Sequence, residues 1–402
     1  MRRARFKLIT ALSIPRGGTS SIEAKENNRY LELWPQSPDG AKRVLVVEAR
    51  MLTPDRDSGS HRMWEILKIL QRLGNSVTFT TTSLEYREPY VQALRALGIQ
   101  VVTSQEADSI QEYIKHVARG FDVIVLSRVI VALGLIDWVR TNAPQAKIIF
   151  DTVDLHFLRE KREAQVKKAQ GLRERAQERQ REELDTALKA DLTLVVSPVE
   201  KEVLSQINPA LRVEVLSNIH VPRNARRPFS ERKGLLFVGG FEHEPNIDAV
   251  LFYVREIHPL LQKALPGVKT YIVGSEPPPS VQRLATENII VTGYVKDLSP
   301  YFENCRVFIA PLRYGAGVKG KVNMAMSYGL PVVGTPVALE GIHATYGEEA
   351  LVADEPQAFA ENVLSLYQDE VLWTKVAQNG MENVQKYFSP QVAEQTLKKI
   401  LQ

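Results

Sequence analysis

Short runs of β-branched and aliphatic residues recur along the chain, and most are followed, after a loop, by apolar residues at helical spacing. The runs at 44–48, 77–81, 100–103, 122–126, 147–150, 192–196 and 213–216 have the continuous apolar character of strands covered on both faces of a parallel sheet. Between the first two, Met63, Ile66, Leu67, Ile69 and Leu70 mark one side of a helix, and 91–97 reads as another. A second series opens at Gly234, with strands expected at 235–238, 269–273, 289–292, 307–310, 331–334 and 350–352. Helices over 356–369, 371–387 and 390–401 close the chain. Alternation of β and α with short connections predicts doubly wound parallel sheets, so the fold class is α/β. Two such series predict two Rossmann-like halves of similar size, facing a central cleft.

The stretches between these series divide the chain. Residues 1–42 read as a disordered or weakly ordered extension. Residues 1–14 are basic with an apolar patch at 8–14 that is too short for a secretory signal, and 15–42 are rich in Gly, Ser, Pro and charge. The first Rossmann-like domain is expected at 43–217. Residues 218–232, rich in Pro, Asn and Arg, read as a linker. The second domain is expected at 233–386, with 387–402 as a terminal helix crossing back to the first. Within the first domain, 158–189 is dominated by Glu, Lys, Arg and Gln with sparse apolar positions, which predicts a long solvated helix laced with i,i+4 pairs. Its acidic and basic residues interleave, which argues against a nucleic-acid-binding arm.

Composition narrows the class of partner. The 402 residues are 44% hydrophobic and 24% charged, as in a globular protein of two domains. A net charge of +4 suits an anionic ligand, or loose peripheral contact with the inner face of an anionic membrane, and is far from a nucleic-acid footprint. One cysteine, Cys305, excludes an internal disulfide and fits a reducing cytoplasm. No apolar run is long enough to span a bilayer.

Ligands of open parallel sheets bind outside the carboxyl ends of the strands, and most of the unusual residues fall there. The loop P-D-R-D-S-G-S-H-R at 54–62 offers Asp57, Ser58 and Ser60 as helix caps, with Gly59 allowing close backbone approach. Asp55-Arg56-Asp57 matches the D-x-D of metal-dependent sugar transferases too briefly to assign a metal. Asp154 and His156 follow directly on the strand ending at Phe150, a pairing suited to oriented acid–base or hydrogen-bonding work. Arg128, after the preceding strand, lies beside them. Paired glycines Gly239-Gly240 follow the first strand of the second series, and Gly274-Ser275 and Gly293-Tyr294 repeat the device without forming G-x-G-x-x-G. The segment from Arg313 to Lys321 carries three glycines and two lysines before a short helix ending at Gly329. Such a loop gathers backbone N–H groups, a positive helix end and mobile cations, which suits a phosphate or pyrophosphate.

Together, F-V-G-G-F-E-H-E-P-N-I-D-A-V from Phe237, V-T-G-Y-V-K-D-L from Val291, P-L-R-Y-G-A-G-V-K-G-K from Pro311 and Y-G-L-P-V-V-G-T-P-V-A-L-E-G from Tyr328 resemble the GT-B glycosyltransferases, and within them glycosyltransferase family 4, the group 1 enzymes. The N-terminal loops at 54–60 and 151–160 are similar to those of a bacterial subgroup tied to surface-polysaccharide assembly. The resemblance covers nearly everything from Arg43 onward. It implies a retaining, hexosyltransferase-like enzyme that uses a nucleotide-diphosphate sugar donor, a glycan or lipid-linked acceptor, no cofactor and no metal. It places the donor on the second domain. Gly293, Tyr294 and Val295 would border the nucleobase. Gly317, Val318, Lys319, Gly320 and Lys321 would hold the diphosphate, with Arg313 nearby and Lys319 offsetting the leaving-group charge. Gly239 and Gly240 would face the diphosphate from the other side. Ser58, Gly59, Arg62 and Arg128 would lie on the acceptor side, with Asp154 and His156 catalytic. The pattern departs from the family where it usually carries two glutamates, here Ala316 and Met324. It departs again at Gly240, often basic, and at Ser127-Arg128, where a histidine is common. Glu340 is a candidate for a sugar or ribose hydroxyl. These departures keep open a nucleotide-binding protein of this fold without turnover, and the shared GT-B layout keeps open a nucleotide-sugar epimerase.

Overall fold

Seven apolar runs pair side by side in a computed structural model that describes residues 30–36, 40–223 and 227–402. They are β1 (Arg43–Glu48), β2 (Ser76–Thr81), β3 (Gln100–Val102), β4 (Val123–Ser127), β5 (Lys147–Asp151), β6 (Leu192–Val195) and β7 (Val213–Val215). Their order is β3-β2-β1-β4-β5-β6-β7, with every pairing parallel. Alternate side chains of β1 explain the unbroken apolar run. Leu45 and Val47 enter the core on one face, Val44 and Val46 the core on the other. A second parallel sheet contains β8 (Leu235–Val238), β9 (Thr270–Val273), β10 (Ile289–Gly293), β11 (Val307–Ala310), β12 (Val332–Gly334) and β13 (Leu351–Val352), in the order β10-β9-β8-β11-β12-β13. The chain therefore has the expected α/β architecture of two Rossmann-like units. In each, the chain winds outward from its first strand and then returns to that strand's other side. The switch points lie between β1 and β4 and between β8 and β11, where loops diverge and leave a crevice.

Seven helices shape or support that crevice: α1 (Ser58–Arg72), α2 (His156–Lys167), α3 (Gln170–Lys189), α4 (Pro198–Ile207), α5 (Glu244–Phe252), α6 (Gly320–Ser327) and α7 (Pro390–Leu401). The charged segment expected as one long helix is two, α2 and α3, packed on each other. The break falls at Lys168, whose φ of +50° ends α2 in the left-handed region. The pair is also less solvated than its composition suggests, because Phe157, Glu160, Ala164, Ala176, Glu183 and Ala187 are buried. The last helix, α7, leaves the second unit and inserts Ala393, Leu397 and Ile400 into the core of the first, where Arg72 pairs with Glu394 at 2.7 Å.

Two segments correct the sequence reading. Part of the expected disordered extension is packed: Tyr30 and Leu33 are buried in the first core, Tyr30 stacks on His116 with ring centroids 4.7 Å apart, and Trp34 and Pro35 lie over Gly120. The rest of that expectation, residues 1–29 and 37–39, lies outside the described residues. The expected linker, of which 224–226 are also outside them, is anchored at both ends. His220 and Arg232 are buried, and the Arg232 guanidinium donates to the carbonyls of Arg227, Phe302 and Cys305.

Candidate active site

The first wall of the crevice is built where β4 and β5 end. Arg128 and Val153 both have left-handed backbone, with φ of +75° and +64°. That is costly for a β-branched residue such as Val153 and marks a conformation enforced by its surroundings. Between Val153 and the start of α2 stands Asp154. Its carboxylate pairs with Arg159 and lies 3.1 Å from His156 Nε2. Burial pushes the Asp154 carboxyl up, but Arg159, His156 and Arg128 outweigh it and hold it far below the usual carboxylate range. Asp154 is therefore a fixed negative charge, suited to orienting His156 and a substrate hydroxyl rather than to shuttling a proton. Arg128 is held by Glu48 at 3.2 Å, and Glu48 also accepts from Ser127 Oγ at 2.7 Å. Asp57 caps α1 by accepting from Ser60 N at 2.8 Å. Gly59 lies under Arg128, whose guanidinium would be 2.7 Å from a Cβ there.

The second wall is built where β8 and β11 end. The loop at 312–319 runs into α6, whose first turn presents the amides of Gly320 and Lys321. Two amines converge beside them. Lys319 is buried, with Nζ donating to Gly317 O at 2.7 Å, and Lys321, half-buried, donates to Asn246 Oδ1 and lies 4.7 Å from the centre of the Phe237 ring. Asn246, on α5, also donates to Gly240 O at 2.6 Å, and a Cβ on Gly239 would lie 2.8 Å from Lys321 Nζ. Among the described residues neither lysine has a carboxylate within ion-pair distance. Desolvation pushes Lys319 down to about 8, against the pull of Glu340. Desolvation and the neighbouring Lys319 push Lys321 down to about 7. Two crowded, uncompensated amines at a helix N-terminus form a site that is short of negative charge.

The two walls touch. A Cβ on Gly317, whose φ is +67°, would lie 3.0 Å from Asp154 Cβ, and one on Gly320 would lie 2.6 Å from Ser58 Cβ. Gly341 meets Ser197 in the same way. These glycines let the second unit come against the first as well as opening backbone to a ligand. Polar bridges reinforce the contact. Arg162 of α2 donates to Gly315 O at 2.7 Å and forks onto Glu340 at 2.9 and 2.6 Å. Tyr294 OH donates to Asp55 Oδ2 at 2.9 Å, with Arg56 5.0 Å from the centre of its ring. Asn218 Nδ2 donates to Val318 O at 3.1 Å. Arg162→Ala is expected to leave Glu340 unpaired and loosen this contact by about 1.5 kcal/mol, the scale of one charged hydrogen-bonded pair. The radius of gyration by small-angle scattering checks it; an unchanged shape would remove Arg162 from this role.

With this geometry in view, residues 232–369 match the family model described as glycosyl transferases group 1. That segment carries the whole second sheet and both lysines. Its domain belongs to the group 1 glycosyltransferases. A 44.6 kDa uncharacterized protein in the cps region of Klebsiella pneumoniae is 26% identical over 184 residues, 42% of this chain and 47% of that relative, so the match spans about half of the relative's length. Among solved structures, the chain is similar to sucrose-phosphate synthase from Thermosynechococcus elongatus, with a TM-score of 0.66 at 15% identity over 89% of this chain and 98% of that one. It is similar to TarM of S. aureus, with a TM-score of 0.70 at 10% identity over 91% and 100%. It is similar to HepE of Anabaena in complex with UDP and glucose, with a TM-score of 0.68 at 12% identity over 90% and 99%. These likenesses establish the two-domain GT-B fold.

Within the glycosyltransferase domain, Gly239, Gly317, Lys319 and Lys321 gather at the crevice with Asn246, and Glu340 reaches it through Arg162. Val318 is buried against the first domain. Gly293, with φ of +73°, turns the chain so that Tyr294 stands exposed at the mouth, beside half-buried Val295. Arg313 is occupied elsewhere: its guanidinium pairs with Asp248 of α5 and is 42% exposed. Arg62, expected on the acceptor side, is an internal strut. It is 1% exposed, forks onto Asp151 at 2.7 and 2.9 Å and donates to Leu216 O. Sequence reasoning missed Arg159 and Arg162, hidden inside a segment read as solvated helix although they lie three and six residues after His156. It missed Asn246, which Pro245 at the head of α5 could have signalled. It also missed Glu200, flagged by the capping pattern Ser197-x-x-Glu200, in which Ser197 Oγ accepts from Glu200 N at 3.1 Å.

Proposed function

We propose that the protein is a retaining glycosyltransferase that moves a hexose from a nucleoside-diphosphate sugar to a glycan or lipid-linked acceptor in surface-polysaccharide assembly. One observation carries the reading: Lys319 and Lys321, desolvated and, among the described residues, without a carboxylate within ion-pair distance, converge at the N-terminus of α6. A diphosphate supplies the negative charge that this site lacks. The complexes of HepE with UDP and glucose and with UDP-glucose support a UDP-sugar as the first donor to test, and the relative from a cps region supports the polysaccharide role.

In the proposed reaction the bond between the anomeric carbon and the diphosphate breaks while the acceptor oxygen approaches the same face. The acceptor proton passes to the departing diphosphate, so the anomeric configuration is kept. Lys319, Lys321 and the α6 amides stabilise the charge that develops on the leaving group, an electrostatic contribution worth several kcal/mol in comparable sites. Two cations supplied by the chain do what a metal does elsewhere, so a divalent ion is not required in this scheme. Asp154 and His156 orient the acceptor hydroxyl. No helix among the described residues is long and apolar enough to cross a membrane. A cytoplasmic protein in peripheral contact with the inner face of a membrane is the placement that suits a lipid-linked acceptor.

The test is calorimetric binding of UDP, GDP, ADP and dTDP, followed by incubation of the matching sugar nucleotides with polyprenyl-phosphate-linked and free glycan acceptors, with and without EDTA. Binding of one nucleoside diphosphate and its release from the sugar nucleotide only when acceptor is present supports the transferase. Binding without release under any condition makes the protein a nucleotide binder. Conversion of the donor sugar without acceptor makes it an epimerase.

A further inference from the structure

We propose that Glu183 and Glu200 are positioning residues, which clamp the backbone of residues 152–157 so that Asp154 and His156 are presented to the diphosphate loop. The clamp is visible atom by atom. Glu200, on α4, accepts from Leu155 N at 3.0 Å through one oxygen and from Val196 N at 3.1 Å through the other. Glu183, on α3, accepts from His156 N at 2.9 Å and Phe157 N at 2.8 Å. Thr152 is tied separately, its N and Oγ1 donating to Leu194 O at 3.0 and 2.9 Å. The two residues left between these anchors are Val153, in the left-handed region, and Asp154.

Glu183 is 1% exposed and Glu200 is fully buried, and among the described residues neither has a basic partner within ion-pair distance. A buried carboxyl without a counter-ion destabilises a fold, so its retention calls for another role. Here three of the four oxygens accept from amides at 155–157, beside one strained turn, and the fourth accepts from Val196 N just after β6. Burial pushes Glu183 up to about 8 and Glu200 up to about 7, against the pull of those amides. The turn faces the second domain directly, because Asp154 Cβ and Val153 O are among the groups that a side chain on Gly317 would meet. A strained conformation flanked by backbone that two buried carboxyls hold in place is the arrangement expected where geometry serves reaction.

This inference rests on the transferase reading for its kinetic arm, and a second arm is independent of it. Glu200→Gln and Glu183→Gln keep side-chain volume but replace one accepting oxygen with a donor. Each is expected to lower kcat for sugar transfer by about tenfold or more while the Kd for the nucleoside diphosphate stays within about twofold. In hydrogen exchange by mass spectrometry, each is expected to lose protection in peptides spanning 152–158 while the thermal midpoint and protection elsewhere are retained. A kcat within about twofold of the parent with unchanged protection overturns the proposal. So does a parallel loss of nucleotide affinity, kcat and thermal midpoint, which is the mark of a purely structural role. If the parent protein transfers no sugar, the transferase reading fails by itself, and local exchange still decides whether the clamp exists.

Discussion

Lys321→Met is expected to abolish useful nucleotide binding and, at the same time, to make the free protein more heat-stable at pH 7. Methionine matches the length of the lysine stem and suits the Phe237 ring now 4.7 Å from the amine. What it lacks is the charge. Removing a desolvated cation from a diphosphate should weaken binding about 100-fold, roughly 2.7 kcal/mol, within the range for truncating one member of a buried charge pair. The stability effect follows from linkage. Desolvation and Lys319 lower Lys321 from its ordinary 10.5 to about 7 in the folded protein. Between those values the unfolded chain binds the proton more tightly, so this group's contribution to stability improves as pH rises through that window and is worst at or below pH 7. The gain in thermal midpoint on substitution should therefore be larger at pH 6–7 than at pH 10. The same reasoning predicts proton uptake when a nucleoside diphosphate binds at pH 8, because the ligand restores the charged form of Lys321 and of Lys319, which is lowered to about 8. Calorimetry in buffers of different ionisation enthalpy reads that uptake directly, and differential scanning reads the stability. A variant that binds as well as the parent, or that melts earlier at pH 7 than at pH 10 relative to it, would mean that the amine is not an uncompensated charge waiting for an anion.

How much of the fold and the site was legible in the chain depended on the range of the interactions. The strands were readable because each is covered on both faces, so β1 and β4 had to be apolar at successive positions. The loop at 313–321 was readable as a candidate anion site because a short helix entered through glycines and lysines has few structural uses. Residues whose role depends on a partner far away in sequence were not. Arg62 looked like a cleft residue because it follows the Ser58-Gly59 loop, yet Asp151, 89 positions later, captures it inside the first domain. Arg313 looked like part of the phosphate site until Asp248 took it. Arg162 gave no local sign because charge on a helix is ordinarily solvated, and Glu340 lies 178 positions away on the other domain. The helical hairpin was hidden for a related reason: nothing in residues 167–170 forbids helix, and the left-handed Lys168 is imposed by the packing of α2 on α3. Glycines were legible as special but not as to purpose. A phosphate cradle and a domain contact both demand a missing side chain, and only the positions of Asp154 and Ser58 show that Gly317 and Gly320 serve the second.

Gly317→Ala should separate those two uses, with a large loss of transfer expected from a single methyl group. At φ of +67° an alanine is disfavoured by roughly 1–2 kcal/mol before any contact is considered. The added carbon would also stand 3.0 Å from Asp154 Cβ and 3.2 Å from Val196 Cγ2. Neither neighbour can yield easily. Val196 belongs to the core, and Asp154 is fixed by Arg159, His156 and the clamped turn. The strain is relieved most cheaply by parting the domains, because the contact is a surface between two units rather than the interior of one. Lys321, Asn246 and the amides of α6 lie on the second domain alone and would remain in place. Nucleoside diphosphate binding should then fall only a few-fold, whereas kcat for transfer should fall about 100-fold, the scale of a misplacement near 1 Å between reacting groups. Small-angle scattering should show a larger radius of gyration in the variant, with and without nucleotide. Gly320→Ala, aimed at Ser58 from a helical position, should reproduce the opening without the backbone penalty, and pairing it with Ser58→Gly should restore much of the activity. If Gly317→Ala loses nucleotide affinity as steeply as kcat and keeps the shape of the parent, the glycine serves the phosphate rather than closure, and the contact with Asp154 is incidental.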